Sequence, residues 1–304
     1  MTAIPAAAFF LFLEAAAGGT IALFWVHLRN EVGRGFTLFT GAAFLIIGAL
    51  AIWLRATFPP SAALALSATG RLWFSVERWT TIAFILLLAV YLTALYVVPR
   101  RRRGRDQAKI GRNGVATRPT HTDSGPRPAE LWRPLAVIGP LVPLMALCAV
   151  WSAALVDASA QLFGLGTPLA VLAGALALGS ALTGLSLGHW YLVSPTLSIQ
   201  PLVRVNFLCL GAIVAQLFLL PILMFGPGTA ADALHSLLTD YLLFLGVRVV
   251  FGLLVPLGAT VMTWRTARIR SLDSATGLLY IVAALVLAGE IAARALFFLT
   301  GVAT

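Results

Sequence analysis

Residues 82–105 read IAFILLLAVYLTALYVVPRRRRGR. An apolar run ends at Pro99 and gives way to five arginines in the six positions 100–105. A segment of about 20 apolar residues is long enough to cross the hydrocarbon core of a bilayer. A basic block at its end marks the cytoplasmic side, because arginine and lysine are retained there. The whole chain has the same character: 60% of its 304 residues are hydrophobic, 11% are charged, and the mean hydropathy is +0.95. A soluble domain carries about 25% charged residues. These figures exclude an ordinary soluble enzyme and a disordered chain, and they describe a polytopic membrane protein.

Seven further runs of the same kind surround the first. Spans are expected near 6–27, 36–56, 76–98, 134–155, 167–193, 203–226, 239–264 and 276–300. The expected fold class is therefore an all-α membrane protein of eight helices. Residues 1–99 hold helices one to three, residues 100–133 a basic flexible linker, and residues 134–304 helices four to eight. The start of the chain lacks a basic n-region and carries Glu14, so it reads as a spanning helix and not as a cleaved signal.

The net charge is +10, from 21 basic and 11 acidic residues, and ten of the basic residues lie between Arg100 and Arg133. In a chain this apolar the block reads as a topology signal near anionic headgroups, not as a nucleic-acid tract. With Arg100 on the cytoplasmic side, the inner segments and the adjacent Arg204 hold 16 basic residues, and the outer segments hold three, Arg55, Arg71 and Arg78. Both termini then face outward, as expected for a multi-pass protein of the inner (cytoplasmic) membrane. The eight tryptophans fall near interface level on the same scheme, as amphipathic indoles prefer. Spans one and five run in the same direction and each ends near a histidine, which hints at a parallel repeat of four helices.

Ionisable groups inside spans are costly and mark function by default. Four stand out: Glu14, Arg248, Glu290 and Arg294. At a helical rise of about 1.5 Å per residue they lie ~10–17 Å below the outer surface. Glu290 and Arg294 are spaced i,i+4 and share a helix face. The four could simply fasten helices one, seven and eight together. Alternatively they form a catalytic polar pocket: a carboxylate accepts quinol protons while an arginine holds the quinone oxygens.

His27 and His189 form a second candidate, a cofactor-binding pair. Each sits at the inner end of its span and the two could ligate one haem b; the plainer reading is an interfacial histidine. Cys148 and Cys209 stand singly in apolar runs and read as packing residues. No C-x-x-C, P-loop, G-x-G-x-x-G, H-E-x-x-H or serine-elbow pattern occurs, and no metal site is expected.

Two short motifs resemble the NrfD/DmsC-type membrane anchors of polysulfide and DMSO reductases. The first span, LEAAAGGTIAL, is similar to that family's opening helix, and GEIAARALFF is similar to its closing helix, with Glu290, Arg294 and the Phe297–Phe298 pair in the matching places. The match departs at Ala293, where glycine is frequent, and at Phe298, where tyrosine is common. The resemblance implies a quinone-interacting anchor subunit of a respiratory oxidoreductase complex, with menaquinone or ubiquinone as cofactor. It further implies an iron–sulfur subunit and a catalytic subunit docked at the outer face. The alternatives are a single-haem cytochrome b-type subunit using His27 and His189, and a transporter or channel with a buried charge site.

Overall fold

The computed structural model describes residues 3–59, 68–97, 128–194 and 197–304. Among these residues the protein is all helix, with eight helices long and apolar enough to cross a membrane. They are α1 (Ala3–His27), α2 (Arg34–Thr57), α3 (Ala68–Val97), α4 (Pro128–Val156), α5 (Gly166–Val193), α6 (Gln200–Phe225), α7 (Leu242–Arg268) and α8 (Leu272–Thr300). The protein is a multi-pass integral membrane protein. Each expected span finds its helix. Helix α3 starts eight residues and α4 six residues before the apolar stretch expected from sequence. Helix α4 opens on Pro128, whose fixed φ suits a first turn where no backbone donor is needed. Most of the basic linker, 100–127, lies outside the described residues; its last part, 128–133, belongs to α4.

Sequence composition explains which helices are central. Helices α1 and α5 are small-residue-rich and apolar all round, and they are the two most buried spans. Lipid tails are as apolar as leucine, so helices gain by close backbone approach at small residues. The approach here is extreme. A Cβ added at Gly18 would overlap the carbonyl of Ala175, and one added at Gly179 would overlap the backbone of Gly18 and Gly19. Helices α2 and α4 flank α1, α6 and α8 flank α5, and α3 and α7 each pack on the two outer helices of their own group. Helix α8 also reaches α1, as α4 reaches α5. Moving every helix along by four places maps one half of this neighbour scheme onto the other.

A second backbone contact joins α7 to α8, where a Cβ at Gly252 would lie 2.6 Å from the Cα of Gly289. Around it α7 widens into a π-helical segment, Val247–Leu254, in which Arg248 and Gly252 are buried. Such bulges are rare and cluster at functional positions. A short amphipathic helix, Ala231–Thr239 (ADALHSLLT), precedes α7 and buries Leu237. Between α4 and α5 the chain turns through Leu162 and Phe163, both with positive φ. Gln161 holds this turn. Its amide donates to the Leu223 carbonyl (2.7 Å) and its Oε1 accepts from the Ala303 amide (2.8 Å), tying the loop to the end of α6 and to the segment after α8.

At the end of the bundle that the arginine distribution assigns to the cytoplasm, Arg204 on α6 pairs with Glu31 of the α1–α2 turn. Arg29 stacks on Trp25 and Arg268 on Trp264.

The α1–α5 contact makes one prediction. Gly179→Leu should abolish monodisperse assembly in detergent, while Gly211→Leu, where an added side chain meets nothing, should elute as the wild type. Size-exclusion profiles of the two variants decide it.

Candidate functional site

Three polar constellations lie inside the helices. The first is the set of four charges expected from sequence. The fold brings all four together. Glu14 comes from α1, Arg248 from the π segment of α7, and Glu290 and Arg294 from one face of α8, and each is at most 1% exposed. They alternate in sign along a line. Arg294 Nε lies 3.1 Å from Glu14 Oε1, Arg294 donates to Glu290 Oε2 at 3.4 Å, and Arg248 donates to Glu290 Oε1 at 3.0 Å. Arg248 also donates to Gln216 Oε1 of α6 (2.7 Å) and to the Thr304 carbonyl (3.1 Å). The formal charges cancel, so the bilayer meets no net charge. The Arg294 Nε–H is not directed along its short contact, and neither Glu14 oxygen accepts a hydrogen bond.

The sequence reading makes these side chains the wall of a headgroup pocket. The structure brings them into contact with one another, and Glu290 and Arg294 face Gly174 of α5. A Cβ at Gly174 would already lie 3.0 Å from Glu290 Cδ and 3.2 Å from Arg294 Nη2. Gln216, the Gly174 notch and the Thr304 carbonyl are partners that sequence reasoning missed, because each meets the charges only through long-range packing.

The second constellation was not anticipated. Arg55, near the C-terminal end of α2, makes a bidentate pair with Glu77 of α3, at 2.6 and 2.7 Å, and lies 3.5 Å from Asp157 after α4. Its guanidinium also stacks on Phe9 of α1, 4.5 Å from the ring centre. Burial pushes the Asp157 carboxyl above its ordinary range, against the opposing pull of Arg55. Beside this pair is a cavity of about 360 Å³ between α1, α2 and α3. Phe9, Ile52, Phe74 and Ile82 contribute apolar wall, and Arg55, Glu77, Arg78 and Thr81 contribute polar groups. The Thr81 hydroxyl is buried and has no partner among the described residues. Glu77 was legible in principle, since it is an acid inside the third apolar run; its position near the end of that run disguised it.

The third constellation contains His27. Its Nε2 is 2.6 Å from the Tyr91 hydroxyl of α3, and its Nδ1 is 3.0 Å from Thr37 Oγ1 of α2. Both ring nitrogens are therefore engaged, one as a donor and the other through the single lone pair of the neutral ring. His189 is exposed on α5, and its neighbour Trp190 packs edge-on against Phe36 of α2. The geometry gives no support to a haem held by this pair. Among the described residues no cluster of three or more His, Cys, Asp or Glu side chains could hold a metal. Cys209 is buried and Cys148 half-buried, and they are unpaired.

Compared with known protein families, curated proteins and solved structures, the chain matches none. The likeness to NrfD/DmsC-type anchors therefore rests on the two short motifs alone.

The alternating charge line makes a specific energetic prediction. Breaking a buried pair by removing one partner costs about 3–5 kcal/mol, whereas replacing both partners by apolar groups is often nearly neutral. Glu14→Leu leaves two arginines against one acid. The Glu14→Leu/Arg294→Met double variant leaves the neutral Glu290–Arg248 pair. The double variant should melt closer to the wild type than Glu14→Leu does, in a thermal scan that follows exposure of the buried Cys209 thiol. Additive losses in the double variant count against the alternating line.

Proposed function

We propose that the protein is a quinone-interacting subunit of a membrane-bound respiratory oxidoreductase complex, and that the headgroup binds in the cavity beside Arg55 and Glu77. One observation carries this reading. Near one end of the spans lies a mostly apolar cavity whose wall holds a buried carboxylate, the arginine paired with it, a second arginine, Arg78, and a hydroxyl with no partner among the described residues. Pockets for small ligands run to about 300–1,000 Å³, mostly apolar with a few convergent polar groups, and this cavity falls in that range.

The residues suit such a ligand. Phe9 and Phe74 offer flat apolar faces, Thr81 a free hydroxyl donor, and Glu77 a carboxylate that accepts or returns a proton. Arg55 holds that carboxylate in place with two hydrogen bonds and neutralises it. A quinone or quinol, when bound, supplies two-electron, two-proton redox chemistry. The chain's own part is to hold the ring, exclude water and handle the protons. The electrons pass to or from a partner, for which an iron–sulfur protein with a catalytic subunit beyond it is the fitting class. The arginine distribution supports an outward-facing cavity in an inner membrane, and those partners would dock on that side. On this reading the four-charge cluster is a closed brace. Glu14, Arg248, Glu290 and Arg294 hold α1, α7 and α8 in register, and the four-helix shift in neighbours reflects a parallel repeat whose first half keeps the ligand site.

Binding of a fluorescent hydroxyquinoline quinol analogue to the purified chain tests the proposal. Ile52→Trp, which fills the cavity, should weaken binding at least tenfold. Glu14→Gln, in the closed cluster, should bind as the wild type. The opposite pattern would return the headgroup to the four charges and sink the cavity assignment.

A further inference from the structure

Gly41 of α2 faces Leu92 of α3, Gly48 faces Ile85, and Arg55 pairs with Glu77, so the two helices run antiparallel and the charged pair fixes one level between them. At the helical rise Arg78 lies about 1.5 Å along the axis from that pair, and Trp79 and Trp53 each about 3 Å in the same direction. Both indoles are exposed, Trp79 at 66% and Trp53 at 60%. Amphipathic indoles collect at the headgroup level of a bilayer. Two of them side by side on neighbouring helices mark that level here.

Arg78 stands at this level with its charge unanswered. It lines the cavity with Phe74 and Ile82, four residues away on either side along one helix face. It is also exposed, so it sits at the cavity mouth, as do the exposed Ala56 and Pro59. It makes no ion pair or hydrogen bond among the described residues. Its neighbour Glu77 gives both oxygens to Arg55, and Asp157 lies against the same guanidinium. The connecting residues 60–67, PSAALALS, contain no acid. From the two indoles exposed apolar stripes run down both helices, through Trp53, Leu50 and Ile46 on α2 and through Trp79, Leu86 and Val90 on α3. Their spacings of three, four and seven residues keep each stripe on one helix face.

We propose that Arg78 binds the phosphate of an anionic phospholipid, with the headgroup at the cavity mouth and the acyl chains along these two stripes. A guanidinium presents paired N–H donors that match phosphate oxygens, and the contact is charge-assisted. Arg78 offers that fork with no protein acceptor competing for it. A net-anionic headgroup fits better than a zwitterionic one, because the zwitterion carries its own cation beside its phosphate. The stripes give the chains apolar side chains to lie on, starting at the indoles and running away from the headgroup level. A free phosphate would answer the guanidinium and leave the stripes unused. The assignment draws on neither Glu77 nor Thr81 as a ligand group, so it does not rest on the cavity being the quinone site.

Photocrosslinking in liposomes carrying the purified chain tests this. A phosphatidylglycerol with a diazirine close to its phosphate is mixed into phosphatidylcholine vesicles, and labelled peptides are identified by mass spectrometry. Residues 52–59 and 74–82 should be labelled at least fivefold more by this lipid than by phosphatidylcholine carrying the same diazirine. Arg78→Gln should lose the excess, and Arg78→Lys, which keeps the charge, should retain most of it. Labelling around Arg29, Arg204 and Arg268, at the opposite end of the bundle, should be the same in both variants and shows that they are inserted. Equal labelling of the mouth by the two lipids overturns the proposal, as does an undiminished excess in Arg78→Gln. If Arg78→Gln fails to insert, the comparison of the two lipids on the wild type still decides. Inorganic phosphate should displace the lipid no more than chloride at equal ionic strength does; stronger displacement makes this a site for free phosphate and overturns the lipid assignment.

Discussion

The backbone contact between α1 and α5 is the constraint on which the rest of the structure depends. Gly18, Gly19, Ala175 and Gly179 bring the two helices closer than any side chain would allow. In lipid there is no hydrophobic drive to hold helices together, so such contacts must come from van der Waals packing and satisfied polar groups. Helix α1 thereby becomes common to both helix groups. One face of it carries Glu14 to Arg294 on α8; another carries Phe9, Ala16, Thr20 and His27 to α2 and α3. A substituent at Gly18 would move every one of these at once.

Much of this was legible in the amino-acid order. Eight apolar runs give eight helices because the bilayer leaves the backbone few other ways to satisfy itself. The convergence of Glu14, Arg248, Glu290 and Arg294 followed from depth and from neutrality, since isolated charges at one level have strong reason to meet. That the cluster would be closed was not legible. Closure depends on Gly174 admitting Glu290 against α5, on Gln216 from α6 and on the Thr304 carbonyl, and these meet only in three dimensions. The Arg55–Glu77 pair was obscured differently. Arg55 counted as an outer-border charge, and its pairing partner lies 22 positions away on another helix. The unpartnered Thr81 hydroxyl had no sequence signal at all, because a threonine that bonds back to its own helix and one that does not are the same letter.

The two charged constellations solve the same electrostatic problem to opposite effect. Both neutralise arginine with carboxylate inside the bundle, as burial requires. In the second helix group the neutralised charges are buried and meet Gly174, Gln216 and the Thr304 carbonyl. In the first, the Arg55–Glu77 pair lines a cavity. A carboxylate can exchange a proton with a ligand only if the ligand can come within hydrogen-bond reach. Glu77 has that space beside it, whereas both Glu290 oxygens already accept from arginine.

The same reasoning separates the histidines. His189 is exposed and has nothing built around it. His27 is held by Thr37 on one nitrogen and Tyr91 on the other, and its ring packs edge-on against Phe24 and Tyr91. A merely interfacial histidine needs one carbonyl or headgroup. Two side-chain partners from two other helices fix the ring plane and both of its hydrogen-bonding directions.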